Sequence, residues 1–255
     1  MHFLLTRPKD DCEILAKALR QKGHEISFFP LLDIRFLNAE KVVPDDFQAL
    51  LFTSANGVRA LIHNLTYNLA NNLTHNLSQQ IPVFTVGEAS AREAKRLGFD
   101  NILSADGDVK TLENLVVHSL DPAGKALLHV AGSHMAGDLK AALSRQGFRV
   151  QRKILYEAIA AKKLDHMTLS LLQKKKISHM PFFSARTAQI FCHLMAQYDL
   201  ENHLSDITAL CLSPAIENVI KSLKWKEILV AEQPNQKALF KTIQITFEGS
   251  ELKSK

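Results

Sequence analysis

The chain has 255 residues, enough for one large or two smaller domains, and 46% hydrophobic with 22% charged residues, a composition that excludes intrinsic disorder. Its net charge of +5 favours an anionic partner without choosing among nucleic acid, a membrane surface and an acidic small molecule. No run of about 18 apolar residues occurs, and the first eleven residues lack a signal-peptide core, so we expect a cytoplasmic protein without a membrane span.

Short apolar runs alternate with longer segments of helical periodicity along the whole chain. After the first run, for example, Leu15, Ala18 and Leu19 share one helix face, and Gly23 follows in a position suited to a C-cap. This alternation predicts an α/β fold with parallel sheets, whose strands are buried on both faces. The runs interpreted as strands are 2–5, 25–32, 49–53, 82–86, 126–130, 179–183, 208–212 and 227–230.

Two charged segments of mixed pattern interrupt the alternation and divide the chain. Residues 34–45 and 151–164 are predicted to be linker strands. Residues 1–33 together with 165–250 are then one discontinuous α/β domain, and 46–150 the second. This arrangement predicts two domains joined by a two-stranded linker, with a cleft between them and relative motion of the domains.

The segment 63–77 repeats Asn-Leu every four residues. In a helix its leucines make one face. We interpret it as an expanded surface helix and loop, and a partner-binding helix is the alternative.

Small and hydroxyl residues recur where a predicted strand turns into a helix. In open α/β sheets ligands bind beyond the carboxyl ends of the strands, where helix N-termini present free N–H groups. Many such junctions together predict a ligand with many carboxylates or phosphates. Ser and Thr at strand-to-helix junctions are, however, also common as plain N-caps. The junction residues are Thr6, Arg7, Thr53, Ser54, Gly87, Ala131, Gly132, Ser184 and Ser213.

Common catalytic motifs are missing from the sequence. It contains no G-x-S-x-G, H-E-x-x-H, P-loop or complete G-x-G-x-x-G. The three cysteines and the dispersed histidines have no ligand spacing, so we predict reduced thiols, no metal and no cofactor. Basic residues are not interleaved with aromatics, which argues against nucleic-acid binding. An enzyme of this composition is expected to act by holding a reactive substrate.

Several stretches resemble the uroporphyrinogen-III synthase family in order and spacing. The most specific are "FTSANGVRAL" (52–61) and "VGEASAREAKRLGF" (86–99); the others are "LLTRP" (4–8), "FPLLDI" (29–34), "LLHVAG" (127–132), "LKAALSRQGFRV" (139–150), "ILYEA" (154–158), "FFSARTAQIF" (182–191) and "AEQPNQKAL" (231–239). The resemblance implies two flavodoxin-like domains and a cofactor-free hydro-lyase reaction. In it, hydroxymethylbilane loses water and closes to uroporphyrinogen III, with the last pyrrole ring inverted through a spiro intermediate.

The resemblance also implies roles for particular residues. Tyr156 is expected to donate a proton or hydrogen bond to the departing hydroxyl, or else to pack on the cleft wall. We predict a monomer that binds this small molecule, and neither nucleic acid nor membrane. The predicted substrate-binding residues are Thr6, Arg7, Thr53, Ser54, Ala55, Asn56, Gly57, Gly87, Ala131, Gly132, Ser184, Ala185, Arg186, Ser213 and Pro214.

The chain departs from the family pattern at two turns. "FSARTA" replaces a T-S-P-S-G-like turn, where Arg186 offers a direct partner for a carboxylate. "LSPAIE" replaces G-P-T-T and loses two hydroxyls.

Two alternative functions stay open at this point. One is a non-catalytic binding protein for a polyanionic small molecule. The other is a nucleotide-sugar transferase, which the missing phosphate-binding glycines disfavour.

Overall fold

A computed structural model describes residues 1–67, 80–134 and 137–247. By contacts the chain divides into two compact units, one of Met1–Asp33 with Ile159–Lys255 and the other of Ile34–Ala158. Each unit carries its own sheet. Most of the Asn-Leu segment lies outside the described residues, so the interpretation of that segment stays a prediction.

The first unit is a five-stranded sheet flanked by helices. Its strands are β1 (His2–Leu5), β2 (Glu25–Phe28), β9 (His179–Phe182), β10 (Thr208–Cys211) and β11 (Glu227–Val230). They are arranged in the order β11-β10-β9-β1-β2, and all of the strand pairs are parallel. The helices are α1 (Lys9–Gln21), α6 (His166–Gln173), α7 (Ala185–Gln197), α8 (Pro214–Ile220) and α9 (Gln236–Lys241).

The second unit contains a six-stranded sheet. Its strands are β3 (Leu32–Phe36), β4 (Ala49–Phe52), β5 (Val83–Thr85), β6 (Ile102–Ser104), β7 (Leu127–Gly132) and β8 (Val150–Ala160). They are arranged in the order β3-β8-β7-β4-β5-β6, and the strand pairs from β8 to β6 are parallel. The helices are α2 (Ala55–Tyr67), α3 (Glu88–Arg96), α4 (Val109–Ser119) and α5 (Leu139–Arg145).

Burial explains why the strands read as continuous apolar runs. All residues of β4 and β7 are buried, because helices cover both faces of a parallel sheet. Leu128 and Val130 pack in one core cluster, whereas Leu127 packs in another on the opposite face. The predicted α/β class with parallel sheets is confirmed.

The segment 25–32, which the sequence presents as one strand, is two strands in the structure. β2 ends at Phe28 and β3 begins at Leu32, because Pro30 between them has no N–H to contribute to a ladder.

The boundary between the two units falls within β3 and within β8. Leu37 N donates to Leu155 O and Ala161 N to Leu31 O, so β3 and β8 run antiparallel.

His129 is the most unusual polar residue of the second core. It lies in the middle of β7 and is 2% exposed. Neither ring nitrogen has a hydrogen-bond partner among the described residues. Burial, with a smaller contribution from the charge of Arg152, lowers the pKa of His129 to about 4. The imidazole is therefore neutral at physiological pH.

We expect His129→Leu to raise stability and to flatten its decline in acid. The pKa of His129 in the folded state lies below the unfolded value of about 6.5, so the unfolded chain binds the proton more tightly. The free energy of unfolding of the wild type is therefore unaffected by this group above pH 6.5 and falls by about 3 kcal/mol as the pH drops from 6.5 toward 4. Leucine also removes two unsatisfied polar atoms, worth about 1–3 kcal/mol. Urea unfolding between pH 7 and 4.5 measures both effects. His118→Leu, at an exposed position, is the control. An unaltered acid slope in His129→Leu would contradict the assignment.

Candidate functional site

The structure places the junction residues of the second unit at the carboxyl ends of β4, β5 and β7. Thr53 and Ser54 directly precede α2, whose first three residues are Ala55, Asn56 and Gly57. Gly87 is the N-cap residue of α3. These two helix starts follow neighbouring strands of one sheet, so their free N–H groups lie at one edge of it.

A hydrogen bond joins Ser54 to Tyr156. The Ser54 Oγ and Tyr156 Oη atoms are 2.8 Å apart, and Gly57 N donates to the same serine oxygen over 3.2 Å. Tyr156 is 9% exposed and belongs to the core cluster beneath α2. The tyrosine that the resemblance singled out thus meets the junction serine within one unit.

Gly132 makes room for the ring of Tyr156. A Cβ atom at Gly132 would lie 2.7 Å from the tyrosine Cε2 atom. The two residues are paired across β7 and β8 at an irregularity in the register, and Ser133 N donates to Tyr156 O over 3.0 Å. Because Gly132 has no side chain, its backbone can approach the Tyr156 ring closely. The ring therefore occupies the space that a ligand would otherwise have at this glycine.

The position of Ala131 and Gly132 differs from the sequence prediction. They are the last two residues of β7 rather than a junction, since β7 continues to pair with β8 as far as Gly132. The following helix, α5, begins only at Leu139 and is capped by Asp138. Gly57 likewise serves close packing, because a Cβ there would lie 3.2 Å from Val130 O.

An ion-pair network links α2 to α3 beside this site. The Arg59 Nη1 atom donates to Asn56 Oδ1 over 2.8 Å, and Arg59 Nε donates to Glu93 Oε1 over 2.8 Å. Arg96 donates to both oxygens of Glu93. Burial alone would raise the pKa of Glu93, but hydrogen bonds and charge from Arg96 and Arg59 outweigh it and lower the pKa. Glu93 is therefore ionised at neutral pH.

The junction residues of the first unit serve mainly structural contacts. Thr6 is 1% exposed, and its hydroxyl donates to Pro181 O over 3.4 Å. Ser184 caps α7 by accepting from Thr187 N over 3.2 Å. Ser213 is the N-cap residue of α8 but makes no side-chain capping bond. Ser184 is thus an N-cap residue in the structure, and a substrate contact at this junction stays a prediction.

Arg7 and Arg186 follow neighbouring strands of the first unit. The Arg7 guanidinium lies 4.9 Å from the centre of the Phe183 ring, and its Nη2 is 3.5 Å from an Asp11 carboxylate oxygen. Arg186 is the second residue of α7, directly after Ala185. Stacking and ion pairing hold Arg7 in one orientation.

The three cysteines are poor nucleophiles in their surroundings. Burial raises the pKa of Cys12 and of Cys192 to about 11, and that of Cys211 to about 12. The thiolate is the reactive form. Within residues 1–67, 80–134 and 137–247, no cluster of His, Cys, Asp and Glu could hold a metal ion, and no helix there is long and apolar enough to cross a membrane.

Comparison with known proteins settles the family. The family model described as uroporphyrinogen-III synthase HemD matches residues 13–241. The chain belongs to the uroporphyrinogen-III synthase family. The matched range contains every stretch on which the sequence resemblance rests except "LLTRP", which precedes it.

Individual relatives of the uroporphyrinogen-III synthase family agree with this. A protein of Methanocaldococcus jannaschii, described as "Putative uroporphyrinogen-III synthase", is 31% identical over 96 residues, a match that spans 38% of this chain and 38% of that relative's length. The Helicobacter pylori uroporphyrinogen-III synthetase structure covers 95% of this chain and 98% of its own, with 18% identity and a TM-score of 0.59. A mutant uroporphyrinogen III synthase from Thermus thermophilus covers 96% of both chains, with 18% identity and a TM-score of 0.51. The two structures show the shared fold.

Sequence reasoning missed two residues beside the candidate site. Arg59 and Glu93 lie inside the two stretches most specific to the family, but they are 34 residues apart, and local periodicity says nothing about their contact. The contact between the Ser54 and Tyr156 hydroxyls depends on the order of strands β4, β7 and β8 in the sheet, which local patterns do not give.

Proposed function

We propose that the chain is a uroporphyrinogen-III synthase that closes hydroxymethylbilane to uroporphyrinogen III without a cofactor, and thus a hydro-lyase. The terminal carbon–oxygen bond breaks, and the hydroxyl leaves as water with one added proton. The substituted carbon of the last ring attacks the resulting electrophilic azafulvene and forms the spiro intermediate. The bond from that carbon to its original methylene bridge then breaks, the ring inverts, and the macrocycle closes when the free α-carbon of that ring bonds to the bridge and loses its proton. Because unaided closure gives the type I isomer, the protein's task is to control conformation.

The hydrogen-bonded pair of Ser54 and Tyr156 carries this proposal. A phenol is a suitable donor to a departing hydroxyl, and the serine hydroxyl, 2.8 Å away, can pass a proton to the phenol oxygen or orient it. The pair stands where α2 begins, so free backbone N–H groups of that helix are close to the same point. A proton donor beside anion-binding amides suits a substrate that carries both a leaving hydroxyl and carboxylates.

We propose that the carboxylate arms of the substrate bind at the strand ends of each unit. In the second unit the groups are Thr53, the amides of Ala55 and Asn56, and Gly87, where no atom of the described residues lies within 4 Å of a Cβ position. In the first unit they are Arg7, Arg186 and the backbone N–H groups of Ala185 and Ala215, because Pro214, directly after Ser213, has no N–H. A monomeric, cytoplasmic enzyme, and the absence of metal, nucleic-acid and membrane partners, stay predictions.

A coupled assay tests the proposed function. Freshly made hydroxymethylbilane is supplied in chelator-treated buffer, and the oxidised products are resolved into type I and type III isomers by chromatography. We expect the protein to convert the substrate mainly to type III, whereas the reaction without protein gives type I. If the protein bound hydroxymethylbilane but the product were only type I, the result would instead support the alternative, a polyanion-binding protein without catalysis.

A further inference from the structure

On the basis of the proposed function, we propose that Arg59 and Glu93 are positioning residues that fix the side-chain amide of Asn56 as a hydrogen-bond donor to one carboxylate arm of the tetrapyrrole. The amide, not the arginine, contacts the ligand. Arg59 acts through Asn56, and Glu93 acts through Arg59.

The first step is the orientation of the amide. A guanidinium has donors and no acceptor, so the Asn56 atom 2.8 Å from Arg59 Nη1 is the carbonyl oxygen Oδ1. The Nδ2 atom, with its two donors, then points away from the arginine. Among the described residues Nδ2 makes no recorded hydrogen bond, and Asn56 is only half-buried. The arrangement therefore presents donors to whatever binds at the start of α2.

The second step is the hold on the arginine. Glu93 has a side chain that is 11% exposed, and the Arg59 side chain is 16% exposed. Such a shielded pair with a hydrogen bond of 2.8 Å is stronger than an exposed one. Removing one partner leaves an uncompensated charge, so the pair holds the Arg59 guanidinium against Glu93. Since Glu93 lies on α3, the orientation of Asn56 is fixed from a neighbouring helix.

The third step concerns what the amide can bind. Asn56 is the second residue of α2, and backbone N–H groups in a first helical turn lack intrahelical partners. Amide donors and free backbone donors together match an acceptor-only group such as a carboxylate. Ser54, two residues earlier, bonds to Tyr156. A carboxylate held here lies close to the proposed proton donor, which ties this contact to the geometry of closure.

A double-mutant cycle in ligand affinity tests the proposal. The probe is uroporphyrin III, a stable octacarboxylate, titrated by its fluorescence. Asn56→Ala and Arg59→Met are each expected to weaken binding about 10- to 100-fold, the cost of one hydrogen bond to a charged group. The double variant should bind no more weakly than Asn56→Ala alone, because Arg59 acts through Asn56. Arg92→Met removes a more exposed arginine of α3 that pairs with Glu88, and its affinity should equal that of the wild type.

Three outcomes would overturn the proposal. The first is a loss of affinity in the double variant equal to the product of the two single losses. The second is an unchanged affinity in Arg59→Met, and the third is a wild-type protein that does not bind uroporphyrin III. Thermal unfolding of each variant is recorded alongside, since a purely structural ion pair would lower stability and leave affinity unchanged. The coupled isomer assay on the wild type separately reports failure of the proposed function.

Discussion

Tyr156→Phe is expected to slow formation of type III product by about 10- to 100-fold, the lower part of the range for general acid catalysis. The substitution removes only the hydroxyl that lies 2.8 Å from Ser54 Oγ. The ring still fills the space beside Gly132, so the fold stays intact, with a stability loss of about 1 kcal/mol for the missing hydrogen bond. The initial rate in the coupled assay measures the first effect, and urea unfolding the second.

Tyr67→Phe is the matched control for that experiment. Tyr67 is 57% exposed at the end of α2, so loss of its hydroxyl should leave both rate and stability unchanged. If Tyr156→Phe kept the full wild-type rate, Tyr156 would be a packing residue, and proton donation would have to come from another group.

Gly132→Ala is expected to damage both stability and rate. The added methyl would lie 2.7 Å from the Tyr156 ring, so the ring or the paired strands must shift. Overpacking of this kind costs about 1–3 kcal/mol. A displaced ring also takes its hydroxyl away from Ser54, so we expect the rate of type III formation to fall at least as far as in Tyr156→Phe. Urea unfolding and the coupled assay measure the two effects.

Gly87→Ala provides the stability control for this change. The same methyl is added at the start of a helix of the same unit, where no atom in the described part of the chain lies within 4 Å of it and the φ angle of −161° suits any residue. Its stability should fall by no more than about 1 kcal/mol, the difference between glycine and alanine at an N-cap. If Gly132→Ala were as stable as the wild type and formed type III product at the same rate, the close contact between Gly132 and the Tyr156 ring would not be needed for folding or catalysis.

Local patterns predicted most of the fold because the central strands of both sheets are buried on both faces. The runs at 49–53 and 126–130 are apolar throughout, and the structure shows strands Ala49–Phe52 and Leu127–Gly132. Helix ends were also predictable where a glycine is required. Gly23 and Gly98 follow α1 and α3 with φ angles of 80° and 96°, a region that other residues avoid.

The arrangement of the candidate site could not be predicted in the same way. Ser54 and Tyr156 are 102 residues apart, and their contact depends on the strand order and on the irregular register between β7 and β8. The sequence indicated small residues that admit a ligand, yet the space beside Gly132 holds the Tyr156 ring. Glycines that serve internal packing and glycines that serve binding look alike in a single sequence.

The isomer ratio produced by Ser54→Leu tests the central claim most directly. Leucine removes the partner of the Tyr156 hydroxyl and the acceptor for Gly57 N, and it places a bulky side chain at the start of α2. We expect a folded protein that binds uroporphyrin III more weakly and releases a mixture enriched in type I, since substrate that is not held in the spiro geometry closes unaided. Pure type III product at the wild-type rate would contradict the account, because this junction would then have no part in guiding ring closure.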